Sequence, residues 1–169
     1  MRALTLTQPW AGLVASGIKR VENRPRSMIK REDFGKPFSI HASRQIDKSV
    51  YARIFEIAPE LDEGGDEHGA PWHILSRVTS AIIGIATIDK VFDGGWTESD
   101  IARHADILSY SNGEKLGWQQ ARWFFGPVGY VLRDIRELVT PIPCRGALGF
   151  WRVPPPVELL VLDAARSAA

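Results

Sequence analysis

The chain has 169 residues, 44 % of them hydrophobic and 24 % charged, and a formal net charge of +1. That is one domain's length, enough to bury most of the unfolded surface without disulfides or structural metals. Such a composition excludes wholesale disorder, collagen and a coiled coil. The lone Cys144 excludes an intrachain disulfide and a multi-thiolate metal centre, so a reducing, cytoplasmic setting is the default. Thr5, Thr7, Gln8 and Pro9 interrupt the N-terminal segment where a signal peptide needs an apolar core, and no apolar run approaches the roughly 20 residues of a membrane span. A soluble protein with no membrane partner is expected.

In chain order, Leu4 and Leu6 alternate with Thr5 and Thr7 as in a half-buried strand. A helix follows, with Gln8 expected as its cap and Pro9 at its first position, because the residue before a proline avoids helical dihedrals. Trp10, Leu13, Val14 and Gly17 form an apolar stripe, and Gly17 suits the left-handed residue that ends a helix. Ile18 to Arg24 then runs extended until Pro25, and Arg26 to Gly35 reads as a polar loop. Phe38, Ile40 and Ala42 alternate with Ser39, His41 and Ser43 in a second strand, and Asp47 can cap a helix carrying Val50, Ile54 and Ile57.

Glu60 to Trp72 reads as an acidic loop. Ser80 to Phe92 is the strongest strand, apolar on both faces as a central strand is, with Gly84 marking a bend or bulge. Thr97 can cap a short helix through Arg103. Later strands are expected at Gly129–Arg133, Glu137–Pro143 and Gly149–Val153, and a terminal helix at 157–165 after three prolines. Five or six strands and two or three helices without regular β–α alternation predict an α+β fold: a small mixed β-barrel flanked by helices.

Charge is unevenly spread. Arg2, Lys19, Arg20, Arg24, Arg26, Lys30, Arg31, Lys36, Arg44 and Lys48 in the first third oppose only Glu22, Glu32, Asp33 and Asp47, and the following stretch to Glu67 is acidic. Clustered cations attract phosphate; alternatively, the acidic stretch balances them after folding. The near-even total argues against tight non-specific binding to long duplexes.

Phosphate-binding and nucleophile-elbow motifs are absent: there is no GxxxxGK[ST], GxGxxG after a strand, or GxSxG. His68 and His73 share the acidic loop but lack a third well-spaced ligand, so no metal and no cofactor are expected. What remains is Gly17-Ile18-Lys19-Arg20-Val21-Glu22-Asn23-Arg24, entered from Gln8-Pro9-Trp10. In an extended segment Glu22 and Arg24 point to one side, and Lys19 at the preceding bend can converge on them. Arg can fork onto a phosphate or base edge, Lys can serve as a point charge or tuned base, and Glu can accept from an exocyclic amine. The same three residues also make sense as an ion-pair cluster that orients the bend.

Gln8-Pro9-Trp10 followed by G-x-K-x-x-E-x-R at 17–24 resembles the ASCH domain (activating signal cointegrator homology) of the PUA-like superfamily, in its bacterial and phage form. Ile40-His41-Ala42-Ser43, the strand Ser80–Val91, Trp123-Phe124 with Gly126-Pro127 and Gly129-Tyr130-Val131-Leu132, then Pro143-Cys144-Arg145-Gly146 and Gly149-Phe150-Trp151 extend the resemblance over most of residues 3–153. It implies one ASCH-type domain over 1–153 with a C-terminal extension, 154–169. It also implies a β-barrel whose cleft receives the G-x-K-x-x-E-x-R segment, and RNA or a modified nucleotide as ligand.

Some small members of that family remove acyl groups from the exocyclic nitrogen of cytidine, using a Lys and a Thr of G-x-K-x-x-T-x-R. Lys19 and Arg24 match that motif, whereas Glu22 stands where those hydrolases have threonine. If this chain is an enzyme, Lys19 and Glu22 are its candidate catalytic residues, with Glu22 as a general base for water. Other members are described as ribonucleases, chemistry that Lys19 with His41, Ser43 or Tyr130 can support. The candidate ligand-binding set is Gln8, Trp10, Lys19, Glu22, Arg24, His41, Ser43, Arg44, Trp123, Phe124 and Tyr130. Trp123 and Phe124 precede a Gly-Pro turn and are candidates for base stacking. Trp10 and Tyr130 read first as packing residues, His41 as facing either solvent or the cleft, and Cys144 as an inert thiol. A binding module is the first expectation, a small hydrolase on an acylated nucleoside or RNA the second, and a monomer is expected in either case.

Overall fold

In a computed structural model, which describes residues 1–62, 76–93 and 108–167, the apolar run after Ser80 forms a long inner strand. The elements in chain order are β1 (Arg2–Gln8), α1 (Trp10–Ala15), β2 (Val21–Arg24), β3 (Pro37–Ile46), α2 (Tyr51–Ile57), β4 (Ala81–Asp93), α3 (Trp118–Ala121), β5 (Val128–Pro143), β6 (Phe150–Arg152) and α4 (Pro155–Ser167). The strands make one six-stranded sheet in the order β2-β5-β4-β3-β1-β6. β1 and β3 are parallel and the other pairs antiparallel, so the architecture is α+β with a mixed, barrel-like sheet.

β4 buries side chains on both faces because apolar layers lie on both. Ile83, Ala86 and Ile88 join Leu4, Leu6, Val14, Phe38 and Ile40 on one side. Ile82 joins Ala3, Leu138, Val153 and Val161 on the other, where α4 packs. Burying each such aliphatic side chain contributes about 1.5–3 kcal/mol. At Gly84 a side chain has no room: a Cβ would lie 2.9 Å from the Arg136 carbonyl oxygen, and both ladders of β4 slip register nearby.

The two late strands expected at Gly129–Arg133 and Glu137–Pro143 are a single strand, β5. Asp134 takes φ +51 between them and the pairing with β4 shifts register, so the strand bends without ending. The first helix begins at Trp10 with Pro9 as its cap, one residue later than the sequence predicts; the Gln8 side chain still caps it, since its Oε1 accepts from Gly12 N at 3.0 Å. Gly17 has φ +75 and ends that helix. The terminal helix starts earlier than predicted, because a proline without an N–H fits the first turn. The helix expected at 97–103, and His68 and His73, lie outside the described residues.

The edge strands β2 and β6 share no ladder, so the curled sheet leaves a seam. Residues 25–36 are fastened on both sides of it. Met28 N donates to the Tyr130 hydroxyl of β5 at 2.8 Å, Ile29 packs on the core, and Asp33 accepts from Arg2 of β1 at 2.5 Å. No helix among the described residues is long and apolar enough to cross a membrane.

Candidate functional site

Helix α1 buries Ala11 to Ala15 and stops at Gly17, so the chain reverses into β2 with Lys19 at the turn. Lys19 N donates back to Leu13 O at 3.0 Å, which holds the turn against the helix end. Along β2 the two-residue alternation sends Glu22 and Arg24 to one face and Val21 and Asn23 to the other.

Lys19 is 1 % exposed. Its Nζ donates to the Val21 carbonyl at 2.5 Å and to Glu22 Oε2 at 2.9 Å, and stands 5.6 Å from the centre of the Trp10 ring. Burial pushes the Lys19 pKa down from its ordinary value, while the Glu22 charge and hydrogen bond act against that shift. The other Glu22 oxygen pairs with Arg24 Nη2 at 3.2 Å, and Nη2 also donates to the Thr5 carbonyl at 3.2 Å. Two cations therefore share one carboxylate in nearly dry surroundings. Arg24 Nε is buried and finds no hydrogen-bond partner among the described residues.

Such a cluster has spare positive charge and a spare donor beside a half-buried indole. It can take an acceptor-rich or anionic group next to a flat ring. Among the described residues no group of three His, Cys, Asp or Glu side chains stands ready for a metal ion.

No protein-family model and no curated protein matches the chain. Solved structures do. The ASCH protein of Zymomonas mobilis aligns over 96 % of this chain and 93 % of its own, with a TM-score of 0.52 at 15 % identity. This chain has the ASCH fold. A serine-to-alanine mutant of that protein aligns with a TM-score of 0.51 at 16 % identity over 94 % of its own length. A tyrosine-to-phenylalanine mutant gives 0.51 at 15 % over 96 %.

Within the ASCH fold the remaining candidate residues fall into two groups. Trp10 opens α1 with its ring centre 5.6 Å from Lys19 Nζ, and Gln8 ends β1 just before it. Gln8 is buried, and its Nε2 donates to the Val78 carbonyl at 2.6 Å. Trp10 packs edge-on against Trp123, with ring centres 6.4 Å apart, and stays half-buried.

Trp123 and Phe124, expected as stacking surfaces, are corrected to core residues. Both are fully buried with Leu13, Val21, Ile54 and Leu116, which leaves no ring face for a base. The Gly-Pro turn after them ends the burial only at Phe125 and Pro127. Tyr130 both packs in the core and accepts from Met28 N.

His41 is buried, so it does not face solvent, and its polar and ring partners are other residues than Lys19, Glu22 and Arg24. Its Nε2 faces the Cys144 carbonyl at 2.9 Å and its Nδ1 the Thr5 hydroxyl at 3.3 Å, with Trp151 edge-on to the ring. Burial lowers its pKa, and the Cys144 carbonyl partly restores it. Ser43 is half-buried with its hydroxyl bonded to the Gln45 backbone, and Arg44 is exposed toward the end of β3. Cys144 is half-buried with its pKa raised by desolvation, which keeps it a thiol.

Two further residues, Thr5 and Asn23, hold the site in place. Thr5 presents its carbonyl to Arg24 while its hydroxyl donates to Ala147 O at 2.7 Å and accepts from Trp151 Nε1 at 2.9 Å. Asn23 donates to Trp123 O at 2.7 Å and accepts from Phe125 N at 3.0 Å, pinning the aromatic stretch to β2. The only signal for Asn23 is its place between Glu22 and Arg24, on the opposite face.

Proposed function

We propose that the protein binds RNA or a modified nucleotide through Lys19, Glu22, Arg24 and Trp10. The observation that supports this best is the unbalanced cluster itself: two cations on one carboxylate, a buried Arg24 Nε–H without a partner among the described residues, and a half-buried indole whose ring centre is 5.6 Å from Lys19 Nζ. Leaving a buried donor without an acceptor costs about 1–3 kcal/mol; the Trp123 indole N–H of the core is in the same state, so the Arg24 Nε–H supports the reading only together with the charged groups around it. A phosphate oxygen or a base carbonyl would satisfy it, Glu22 can accept from an exocyclic amine, and Trp10 offers a ring edge or face. The ASCH fold agrees with that ligand class. The reading takes the protein as a cytoplasmic monomer that needs neither metal nor cofactor.

A second role, as a small hydrolase on an acylated nucleoside or on RNA, draws on the lowered pKa of Lys19 beside Glu22, an environment that tunes a lysine toward proton transfer. Glu22 offers no hydroxyl nucleophile, so attack would have to come from water.

Titration of purified protein with short RNA and with cytidine, beside Trp10→Phe and Glu22→Gln, tests the binding role. Saturable binding weakened by both variants, whose melting is checked separately, is expected. Wild-type and variant curves that coincide would remove the site from consideration. Mass spectrometry of the same mixtures and of an acylated cytidine separates the two roles: product formed by wild type and lost in Glu22→Gln would make the protein an enzyme.

A further inference from the structure

We propose that the protein has a second binding site, for a small basic amino acid of the L-lysine class, between the hairpin at Ser109–Lys115 and the bend of β5. A cavity of about 510 Å³ opens there, a size that suits a small molecule. None of Lys19, Glu22, Arg24 and Trp10 lines it, so it is separate from the charged cluster beside α1.

The hairpin is closed by the bridge between Ser109 and Lys115 and by Tyr110 N, which donates to Glu114 O at 2.8 Å. Asp89 of β4 fastens its tip, accepting from Ser111 N at 2.5 Å and from Ser111 Oγ at 2.7 Å. On the opposite wall Asp134 takes φ +51, and the bend places Arg133 and Asp134 together in the lining. Both walls are held by the protein's own bonds, which lowers the ordering cost when a ligand enters.

The charged lining consists of three carboxylates, Asp89, Glu114 and Asp134, and two guanidiniums, Arg20 and Arg133. Arg133 is occupied: its Nε meets Asp89 Oδ1 at 3.0 Å and its Nη1 meets Asp134 Oδ2 at 3.4 Å. Asp89 is occupied too, with three donors on a carboxylate that is 4 % exposed. The Arg20 side chain donates to the Gly17 carbonyl at 3.4 Å and pairs with no carboxylate among the described residues, and Glu114 pairs with no cation among them.

One open cation and one open carboxylate in the same cavity match a ligand that carries both charges, as an amino acid does. Carboxylates outnumber guanidiniums by one, and Asp134 shares its only cation with Asp89, so the matching ligand carries one further positive group. The ligand carboxylate then lies on Arg20 and its two ammonium groups on Glu114 and Asp134. Half-buried Tyr110 and Ile135 supply apolar surface for the methylenes between them.

Calorimetric titration of the full chain at physiological ionic strength compares L-lysine with cadaverine, which lacks the carboxylate, and with L-norleucine, which lacks the side-chain amine. L-lysine should saturate one site, and each analogue should bind at least about tenfold more weakly, the loss of one charge-assisted contact. Arg20→Ala should weaken L-lysine to the level of cadaverine, and Glu114→Gln should weaken both. These two side chains are exposed, so both variants should melt as wild type does. No saturation by L-lysine, an analogue that binds as tightly as L-lysine, or unchanged selectivity in Arg20→Ala would overturn the site.

Discussion

Arg24 and Thr5 are joined across strands that share no ladder. Arg24 Nη2, at the end of β2, donates to the Thr5 carbonyl of β1 at 3.2 Å, over the seam that the curled sheet leaves open. The same nitrogen holds Glu22, so one guanidinium ties the charged cluster to the β1 backbone. Replacing it removes a charge-assisted hydrogen bond and leaves Glu22 with Lys19 alone. Arg24→Ala is expected to cost about 1–3 kcal/mol, roughly 2–4 °C in melting temperature for each kcal/mol. A melting curve identical to wild type would show that the seam is held elsewhere.

Lys19 and Glu22 form a buried pair, and removing Lys19 leaves the carboxylate with Arg24 alone. Lys19→Met should destabilise by at most about 3–5 kcal/mol, since Arg24 still meets the carboxylate, and the loss in Lys19→Met/Glu22→Gln should differ from the sum of the two single losses, because the two side chains interact directly. Urea denaturation of the two single variants and the double variant measures the coupling. Strict additivity would mean that the pair does not interact in the folded protein.

The pH dependence of stability has a definite sign. The folded-state pKa of Lys19 lies below its ordinary 10.5. Between the lowered value and 10.5 the unfolded chain holds more protons, so this residue makes stability rise with pH through that window. Lys19→Met should lack that rise in denaturant midpoints measured on the alkaline side. A rise that persists in the variant belongs to another group.

His41 acts on the acid side. Its folded-state pKa is below 6.5, so as pH falls from 6.5 through the lowered value the unfolded chain takes up the proton first and stability drops. His41→Asn retains a donor for the Cys144 carbonyl and should show a shallower decline over the same range. Equal slopes for variant and wild type would rule out His41 as the origin.

How much of this was legible in the sequence depends on the range of the interactions. The alternation in β1 and β3, the two-sided apolar run of β4 and the glycine stop after α1 are local patterns, and each appears in the structure as a local element. The convergence of Lys19, Glu22 and Arg24 was readable because one bend and one strand place all three.

Trp123 and Phe124 were not readable as core residues. Their burial depends on Asn23, a hundred residues earlier, and on packing against α1 and α2. The continuity of β5 past Asp134 was hidden because a positive φ at an aspartate looks like a turn until a partner strand absorbs it. Thr5 looked like the polar half of an alternating strand, and only the return of residues 147–151 from the far end of the chain gives its hydroxyl partners.

Gly129 illustrates the same long-range constraint. A Cβ there would run into the Phe124 ring and lie 3.2 Å from Val21 Cγ1. Gly129→Ala should therefore overpack the core under β2 and cost about 1–3 kcal/mol, visible as a lower urea midpoint. A neutral result would mean that Phe124 has space to move that its burial does not suggest.

The most direct test of the nucleotide site is a proton–nitrogen correlation spectrum of labelled protein during titration with a short single-stranded RNA, following the Arg24 Nε–H and Trp10 indole N–H signals. The Arg24 Nε–H is expected to move downfield as it gains an acceptor, with the Trp10 signal and the Glu22 amide shifting along the same binding curve. Saturable binding that leaves all three signals in place, with shifts confined to distant surfaces such as Val139 or α4, would contradict it.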